Sequence, residues 1–435
     1  MLDPVKVGIV GLGTVGGGTF NVLTRNQAAI SGRAGRMIEV VHVGTRRGNP
    51  ACDLANTRVS EDIFAVVNDP DVQVLVELIG GTTTAKEVVL QAIDNGKSVV
   101  TANKALIAIH GNEIFEKAAE KGVTVAFEAA VAGGIPIIKA IREGLAGNRI
   151  QWLAGIINGT GNFILSEMRS HGRDFADVLA EAQALGYAEA DPTFDVEGID
   201  AAHKLAILGS LSFGIPLQFE RVYTEGISDI TQEDVQYAAA LGYEIKHLGI
   251  AKRVEQGVEM RVHPTLVPTQ KILASVNGVM NAVSVSADAV GQTLYYGAGA
   301  GAEPTASAVV ADIVDVARSL SVDPDHRVPP LAFHPNALEA TTVLPMDDVV
   351  TGYYLRFNAE DCPGVLADVT RILTEHAINI EAVLQQEAKT PDTVPVVILT
   401  QPVQERAMND ALKQIEALTT IAGSVVRIRL ERFDT

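Results

Sequence analysis

Length, composition and charge exclude several classes of protein. The chain has 435 residues, 47% of them hydrophobic and 20% charged, which is typical of a globular protein with two or three domains and not of a disordered chain. Its 34 basic and 53 acidic residues give a formal charge of −19, which would repel nucleic acid and anionic lipid surfaces. We therefore expect no nucleic-acid partner and no membrane partner.

The N-terminus and the cysteine content predict a cytoplasmic location. A strand-like run begins at Val5, which leaves no room for a signal sequence, and Gly or charged residues interrupt the apolar runs before they reach membrane-spanning length. The two cysteines, Cys52 and Cys362, are too few for a disulfide framework or a zinc cluster.

The first part of the chain alternates β-branched runs with helical patterns. The runs VKVGIV, IEVVHV, VQVLVEL and SVVTA start at Val5, Ile38, Val72 and Ser98. Such alternation predicts an α/β fold with a parallel sheet and crossover helices, and we assign residues 1–130 to a Rossmann-type dinucleotide-binding domain.

Two further domains are predicted downstream. A strand candidate at 152–157 and long helical patterns over 163–213 indicate an α+β catalytic and dimerisation domain, which we assign to residues 131–325. The proline-rich stretch 326–350 predicts a linker. Residues 351–435 then follow the order βαββαβ, which is typical of a ferredoxin-like domain.

A glycine-rich motif follows the first predicted strand directly. It reads Gly11, Leu12, Gly13, Thr14, Val15, Gly16 and opens a helical pattern. The first glycine permits a tight turn, the second lets a pyrophosphate approach the backbone, and the third allows close helix packing. A tight turn without a ligand is the alternative, but a strand before the motif and a helix after it favour a cofactor site.

The residues after the second predicted strand bear on the choice of cofactor. An NAD site normally has Asp or Glu there, whereas this sequence has Thr45, Arg46 and Arg47. Two guanidinium groups suit the 2′-phosphate of NADP, so NADP is favoured, with NAD possible. Two solvated loop arginines are the alternative.

Lysines are the candidate proton donors for a carbonyl reduction. Lys204 lies four residues after Asp200 on one predicted helix face, and spacing alone favours an ordinary helix salt bridge. The preceding loop is densely acidic, with Glu189, Asp191, Asp195 and Glu197. Such crowding predicts a cationic partner, either Lys204 or the ammonium of a small amino acid, unless the loop is simply solvated.

Lys104 is a second candidate. It follows the fourth predicted strand of the parallel sheet, at the edge where ligands bind in open α/β sheets. A cation at a helix start is unfavourable for the helix dipole, which favours a functional role over a surface one. His203 points elsewhere on the helix than Lys204, so we expect it to be a packing residue.

Seven segments together resemble the homoserine dehydrogenase family, in the same order and over nearly all of residues 5–318. They are GLGTVG, ELIGG, TANKAL, EAAVAGGIPI, INGTGNFIL, LGYAEADPTFDVEGIDAAHKLAIL and GAGAGAEPTASAVVADI. The resemblance implies reversible NAD(P)-dependent interconversion of L-homoserine and L-aspartate 4-semialdehyde, a step in threonine, methionine and isoleucine biosynthesis.

The resemblance also implies roles for individual residues. By motif position Lys204 matches the proton donor, Asp200 a substrate-side carboxylate, and Lys104 a lysine lying against substrate and nicotinamide. Glu189 matches the homoserine-binding glutamate, and Gly186 and Asp195 fall in the same predicted substrate-binding segment.

Two more segments acquire roles from the family. In EAAVAGGIPI the family binds a monovalent cation, which would place sodium among Glu128 and the backbone carbonyls of Val131, Gly133 and Ile135. Gly301 and Glu303 match the loop through which the later chain returns to the cofactor.

The last domain resembles the ACT family of amino-acid-binding modules through NAEDCPGVLADVTRILTEHAINIEAVLQQ. The residues that match its effector site are Asp361, Pro363, Gly364, Val365, Asn379 and Ile380. ACT modules typically pair across a subunit interface, which implies a homodimer or homotetramer. Threonine, the end product of the pathway, is the expected effector.

Two other readings stay open at the level of sequence. One is an amino-acid sensor that keeps a Rossmann scaffold without chemistry, and its signature would be loss of Lys204 or of the glycine motif. The other is a different amino-acid dehydrogenase, similar to aspartate dehydrogenase. The acidic loop and the fused sensor domain weigh against it.

Overall fold

The computed structural model describes residues 3–385 and 393–433, which form two compact units. The first unit is built from the described residues of segments 1–159, 200–222 and 280–341, and the second from those of 160–199, 223–279 and 342–435. Each unit therefore combines segments that are far apart in sequence. The domain boundaries at 130/131, 325/326 and 350/351 stay predictions.

The helices and strands are numbered in chain order. The strands are β1 Val5–Val10, β2 Ile38–Gly44, β3 Arg58–Ser60, β4 Val74–Glu77, β5 Ser98–Thr101, β6 Val125–Ala126, β7 Ile150–Ile156, β8 Tyr223–Thr224, β9 Tyr243–Val254, β10 Gly257–Pro268, β11 Met280–Ala287, β12 Gly291–Ala298, β13 Val350–Glu360, β14 Ile380–Gln385, β15 Thr393–Thr400, β16 Val403–Gln404 and β17 Ile421–Leu430. The helices are α1 Thr14–Arg25, α2 Gln27–Ala34, α3 Ile63–Val67, α4 Thr83–Asp94, α5 Lys104–Glu120, α6 Ile137–Lys139, α7 Gly159–His171, α8 Phe175–Ala184, α9 Thr193–Val196, α10 Ile199–Phe213, α11 Gln232–Ala240, α12 Ala302–Ser319, α13 Val365–Glu375 and α14 Glu405–Glu416.

A parallel sheet in the order β3-β2-β1-β4-β5-β6 forms the base of the first unit. Its central strands are buried on both faces, which explains why β4 reads Val-Leu-Val-Glu without alternation. The strand order reverses between β1 and β4, and in sheets of this kind ligands bind at the carboxyl ends of the strands beside such a switch. The predicted Rossmann-type fold is confirmed.

Later segments complete the first unit. The strands β7, β11 and β12 pair antiparallel, with β11 in the middle. Helix α12 packs against α1 so closely that a Cβ on Gly18 would lie 2.6 Å from the carbonyl oxygen of Ala302. The later part of the chain thus contacts the dinucleotide-binding part directly.

The second unit contains a continuous sheet in the order β9-β10-β17-β13-β15-β14. Strands β9 and β10 form a long antiparallel hairpin, and β17 pairs parallel with β10 at Thr265–Arg429 and Leu266–Leu430. Apart from the short strand β16, the segment β13-α13-β14-β15-α14-β17 has the predicted βαββαβ order, which confirms the ferredoxin-like fold. Gln386, at the end of one predicted strand, lies outside the described residues.

A test of the described helices finds none that combines the length and the apolar character needed to cross a membrane.

Candidate active site

The glycine motif forms the turn between β1 and α1, and its three glycines differ in their surroundings. Gly11 has a positive φ of 95°, and a Cβ there would lie 2.7 Å from the carbonyl oxygen of Leu78. A Cβ on Gly16 would lie 2.0 Å from the oxygen of Gly11, whereas one on Gly13 meets nothing within 4 Å. The turn is therefore tight and closely packed, but open at Gly13, where the N-terminus of α1 can receive an anion.

The arginine loop packs beside this turn. The Nδ2 of Asn49 donates to the carbonyl oxygen of Leu12 at 3.1 Å, which ties the loop after β2 to the glycine turn. Arg46 and Arg47 are exposed, and the Thr45 hydroxyl donates to the Arg47 carbonyl at 2.6 Å. Two guanidinium groups thus lie on a loop that is anchored to the nucleotide-binding turn.

Gly301 and Glu303 lie at the start of α12, in the same unit as the glycine turn. Gly301 precedes the helix with a φ of 123°, and Glu303 in the first turn forms an exposed ion pair with Arg25 of α1 at 2.7 Å. This pair joins the two helices whose close contact is described above.

Asp200 brings the two predicted lysines together. Its Oδ1 lies 2.7 Å from Nζ of Lys104, and its Oδ2 lies 2.7 Å from Nζ of Lys204. The carboxylate is buried, the Lys204 side chain is 12% exposed, and the Lys104 side chain is 38% exposed. The cluster is thus open to solvent on the side of Lys104.

Three elements hold this cluster. Lys104 is the first residue of α5, whose N-cap is Asn103, while Asp200 and Lys204 lie one turn apart at the start of α10. The carbonyl oxygen of Ile157, just after β7, accepts from Nζ of Lys204 at 2.6 Å. Burial alone would raise the pKa of Asp200, but the ammonium groups of Lys204 and Lys104 outweigh it and hold that pKa well below its usual range.

Asn158 is a member of this cluster that the sequence analysis did not single out. Its Nδ2 donates to Oδ2 of Asp200 at 2.9 Å, and its side chain is buried. The available signal was a polar residue immediately after a strand, within the INGTGNFIL segment. His203 is buried and stacks on Phe219 at a ring distance of 4.2 Å, as expected of a packing residue.

The predicted substrate-binding residues other than Asp200 lie in the second unit. Gly186 and Glu189 are exposed in the loop between α8 and α9, and the backbone carbonyl of Glu189 accepts from Gln183 at 3.1 Å. Asp195 lies in the short helix α9 and is half-buried.

The predicted effector residues flank α13 in sequence, four at its start and two after its end. Gly364 caps this helix with a φ of 105°, and Asp361 and Pro363 are exposed just before it. Val365 is buried, Ile380 is the first residue of β14, and Asn379 directly precedes it. The loop and the strand therefore both belong to the ACT fold.

The segment predicted to bind a cation is a sharply bent loop before α6. Ala132 and Gly133 have φ values of 52° and 23°, and a Cβ on Gly133 would lie 2.8 Å from the carbonyl oxygen of Gly299 and 3.0 Å from the Thr305 hydroxyl. The Glu128 carboxylate accepts from the backbone N–H groups of Ile138 and Lys139 at 2.9 and 2.8 Å.

Each carboxylate oxygen of Glu128 therefore accepts a hydrogen bond from the backbone. Burial and the neighbouring Asp312 raise its pKa to about 7. Within residues 3–385 and 393–433, no group of three or more His, Cys, Asp or Glu residues is arranged to hold a metal ion. The backbone oxygens of this loop are donors of the kind that a hard cation accepts.

A dinucleotide-binding sheet and a cluster of two lysines on one buried carboxylate are features of a nicotinamide-dependent oxidoreductase. Comparison with known families agrees with this class. Residues 11–128 match the NAD-binding domain of homoserine dehydrogenase, residues 136–314 match homoserine dehydrogenase, and residues 353–417 match the ACT domain.

Individual relatives extend over the whole chain. The homoserine dehydrogenase of Pseudomonas aeruginosa is 66% identical over 434 residues, covering 100% of both chains, and that of Bacillus subtilis is 38% identical, covering 99% of each. The crystal structure of a homoserine dehydrogenase from Thiobacillus denitrificans is 61% identical, covers 99% of this chain and 98% of its own, and superposes with a TM-score of 0.94. The chain belongs to the homoserine dehydrogenase family and is an oxidoreductase.

Proposed function

We propose that this chain interconverts L-homoserine and L-aspartate 4-semialdehyde, with NADP as the preferred cofactor and Lys204 as the proton donor during reduction. The observation that carries the proposal is the pairing of Lys104 and Lys204 on the buried carboxylate of Asp200, at 2.7 Å each. The bound nicotinamide supplies the hydride in one direction and accepts it in the other.

The residues of the cluster have distinct tasks. Lys204 gives a proton to the aldehyde oxygen as that oxygen gains negative charge, and it takes the proton back when homoserine is oxidised. Asp200 and the Ile157 carbonyl hold Nζ of Lys204 in place. Lys104 adds a second positive charge that stabilises the developing alkoxide. The substrate-binding roles of Gly186, Glu189 and Asp195 are proposed on the resemblance alone.

The arginine loop supports NADP over NAD. Arg46 and Arg47 are exposed on a loop tied to the glycine turn by Asn49, and no carboxylate occupies the corresponding positions. Guanidinium groups form strong charge-assisted hydrogen bonds with phosphate oxygens. A hyperthermophilic archaeal homoserine dehydrogenase solved in complex with NADPH, 26% identical and with a TM-score of 0.59, covers 72% of this chain and 97% of its own.

The remaining ligands follow from the same resemblance. A monovalent cation, sodium by expectation, would be held by Glu128 and by the backbone oxygens of Val131, Gly133 and Ile135. Threonine is the proposed effector of the ACT domain and would inhibit the enzyme. Assembly as a homodimer or homotetramer and a cytoplasmic location also stay predictions.

Replacing Arg46 and Arg47 together by Ala tests the proposed activity and cofactor in one assay. We expect homoserine-dependent reduction of both cofactors by the unaltered protein. In the variant we expect the KM for NADP to rise about ten- to hundredfold, because hydrogen bonds to a charged phosphate are lost, while the KM for NAD changes little. Initial rates measured at several concentrations of each cofactor check this.

Arg33→Ala is the matched control, since Arg33 is an exposed arginine on α2 of the same unit. No homoserine-dependent reduction of either cofactor would contradict the proposed activity. Equal changes for NADP and NAD would contradict only the assignment of the two arginines.

A further inference from the structure

Glu77 is a buried carboxylate that the proposed mechanism does not use. It lies at the carboxyl end of β4, with no exposed surface. Its Oε1 accepts from the backbone N–H groups of Ile79 at 2.8 Å and Gly80 at 3.3 Å, and its Oε2 accepts from the Thr101 hydroxyl at 2.6 Å. Burial raises the pKa of Glu77, and these hydrogen bonds oppose the rise. A carboxylate is costly to bury without hydrogen bonds, and these three donors offset that cost.

The Thr101 hydroxyl connects Glu77 to the start of α5. Glu77 and Thr101 are paired residues of β4 and β5. A hydroxyl has a single hydrogen, which Thr101 directs to Glu77, so its oxygen is left to accept from the backbone N–H of Asn103 at 3.0 Å. Glu77 thereby sets the direction of the hydrogen bond that reaches Asn103.

Asn103 in turn fixes the first turn of the helix that carries Lys104. Its Oδ1 caps α5 by accepting from the N–H of Leu106 at 3.1 Å, and its Nδ2 donates to the carbonyl oxygen of Gly81 at 2.6 Å. The ends of β4 and β5 are therefore joined twice, once through Glu77 and once through Asn103. Lys104, the next residue, reaches Asp200 from this position.

The same end of β4 supports the nucleotide turn. The N–H of Leu78 donates to the carbonyl oxygen of Val10 at 2.8 Å. The carbonyl oxygen of Leu78 lies so near Gly11 that a Cβ there would be 2.7 Å away. Glu77 thus stands between the turn proposed to bind the cofactor and the helix that presents Lys104.

We propose that Glu77 is a positioning residue of the active site: through Thr101 and Asn103 it fixes the start of α5, and hence Lys104, relative to the glycine turn. This inference rests on the proposed role of the Lys104–Asp200–Lys204 cluster. The cofactor and the proton donor must meet the same substrate carbon and oxygen, and a misplacement of about 1 Å can cost about a hundredfold in rate.

Glu77→Gln and Thr101→Val remove the same hydrogen bond from opposite sides. In Glu77→Gln the amide oxygen can still accept from Ile79 and Gly80, but the amide nitrogen then faces Thr101 and cannot accept its hydrogen. We expect kcat to fall about ten- to a hundredfold in each variant, while the dissociation constant of NADPH, measured by its fluorescence, stays within about threefold. Thr101→Ser keeps the hydroxyl and should retain the kcat of the unaltered protein.

The double variant adds a second readout. Because both changes remove one interaction, Glu77→Gln combined with Thr101→Val should lower kcat no further than the more impaired single variant. Glu113→Gln is the matched control. Glu113 lies on α5, the helix that carries Lys104, where it is exposed and pairs with Lys86, so its replacement should keep normal kcat. If Glu77→Gln does not fold, the comparison of Thr101→Val with Thr101→Ser still decides the matter.

Several outcomes would overturn the inference. One is a folded Glu77→Gln or Thr101→Val protein with unaltered kcat. Another is a kcat for Thr101→Ser as low as that for Thr101→Val. A third is a parallel loss of NADPH binding, thermal stability and kcat, which would indicate a purely structural role. Lys104→Ala, measured beside them, separates the two roles: unaltered kcat there overturns the role of Lys104 in the cluster and with it the role of Glu77, whereas a loss there with normal Glu77→Gln overturns only the role of Glu77.

Discussion

Asp200 lies between two ammonium groups, and the charge balance of this trio explains its chemistry. Burial disfavours the carboxylate, but Lys204 and Lys104 keep its pKa well below the usual range, so it is ionised throughout the neutral range. One carboxylate with two ammonium groups leaves a net positive charge. Such a charge, fixed in place, favours an oxygen that becomes negative as a hydride arrives at the adjacent carbon.

Lys204→Ala tests the proton donor. We expect kcat to fall by about 10² to 10⁴, the usual contribution of general acid–base catalysis, because the proposed proton donor is lost. Lys104 would keep its ion pair with Asp200. The glycine turn is untouched, so NADPH should bind with its original dissociation constant. Lys117→Ala removes a half-buried lysine of α5 that is paired with the exposed Asp94, and it should leave kcat unchanged. A Lys204→Ala protein whose kcat stays within about threefold would refute the assignment, since that is below the range for a lost acid.

The sequence predicted this cluster only in part. Asp200 and Lys204 are four residues apart on α10, and that spacing places both on one helix face in any fold. Lys104 was selected as a candidate by its place after a strand, but its distance from Asp200 depends on how β5 and α10 pack. Asn158 and Glu77 carry no local pattern that distinguishes them from other polar residues at strand ends, so only the folded structure reveals their contacts.

At the scale of elements, two glycine substitutions in the β1–α1 turn should affect different properties, one the affinity for cofactor and the other the stability of the fold. Gly13 has an ordinary φ of −70° and space around it, so Gly13→Ala should keep its stability but raise the KM for NADP about tenfold by blocking the pyrophosphate. Gly16→Ala places a methyl group against the Gly11 carbonyl and should destabilise the fold by about 1–3 kcal/mol. Thermal denaturation and cofactor kinetics separate the two effects.

Gly32→Ala on α2 is the control for these glycines, because it also has open space and should leave cofactor kinetics unchanged. If Gly13→Ala and Gly16→Ala instead lost stability and cofactor affinity to the same extent, the three glycines would not have the separate roles described here.

The strands of the parallel sheet were predictable, whereas the β9–β10 hairpin was not. The run VKVGIV is apolar except at Lys6, because both faces of a central strand are largely buried. Strand β10 is also buried, but it contains Glu259, Arg261, His263 and Pro264, and its charges are satisfied by each other and by Glu431. Buried ion pairs remove the alternation that marks a strand in sequence, because their partners come from elsewhere in the chain.

At the scale of the whole molecule, the ACT domain is joined to this hairpin by more than a linker. The parallel pairing of β17 with β10 continues one sheet into the other. Arg429 of β17 is fully buried and pairs with Glu405 and Glu225, the latter at 2.7 Å, and Arg356 of β13 pairs with Asp234 of α11 at 2.6 Å. Removing one side of a buried pair costs about 3–5 kcal/mol, since the other charge is left without its partner.

Deleting the ACT domain is therefore a poor test of regulation. The deletion would remove the ACT-domain partners of Glu225, Asp234 and Arg261 and would expose the edge of β10. Substitutions in the proposed effector loop avoid this problem. Asp361 and Asn379 are exposed, and neither belongs to the buried network that joins the sheets. Changes at these two positions should leave the fold intact.

Asp361→Ala and Asn379→Ala test whether threonine regulates the enzyme through this loop. An effector acts only through different affinities for two states of the protein, so weaker binding requires more threonine for the same inhibition. Losing one hydrogen bond to a charged effector should raise the half-inhibitory threonine concentration about ten- to a hundredfold, while kcat without threonine stays unaltered. Glu375→Gln, at the far end of α13 in an exposed pair with Arg371, should leave inhibition unchanged.

Rates with threonine, isoleucine, methionine and lysine identify the effector. Inhibition by threonine that is equally strong in all three variants would place its site elsewhere, and no response to any of the four would leave the ACT domain without an effector among them.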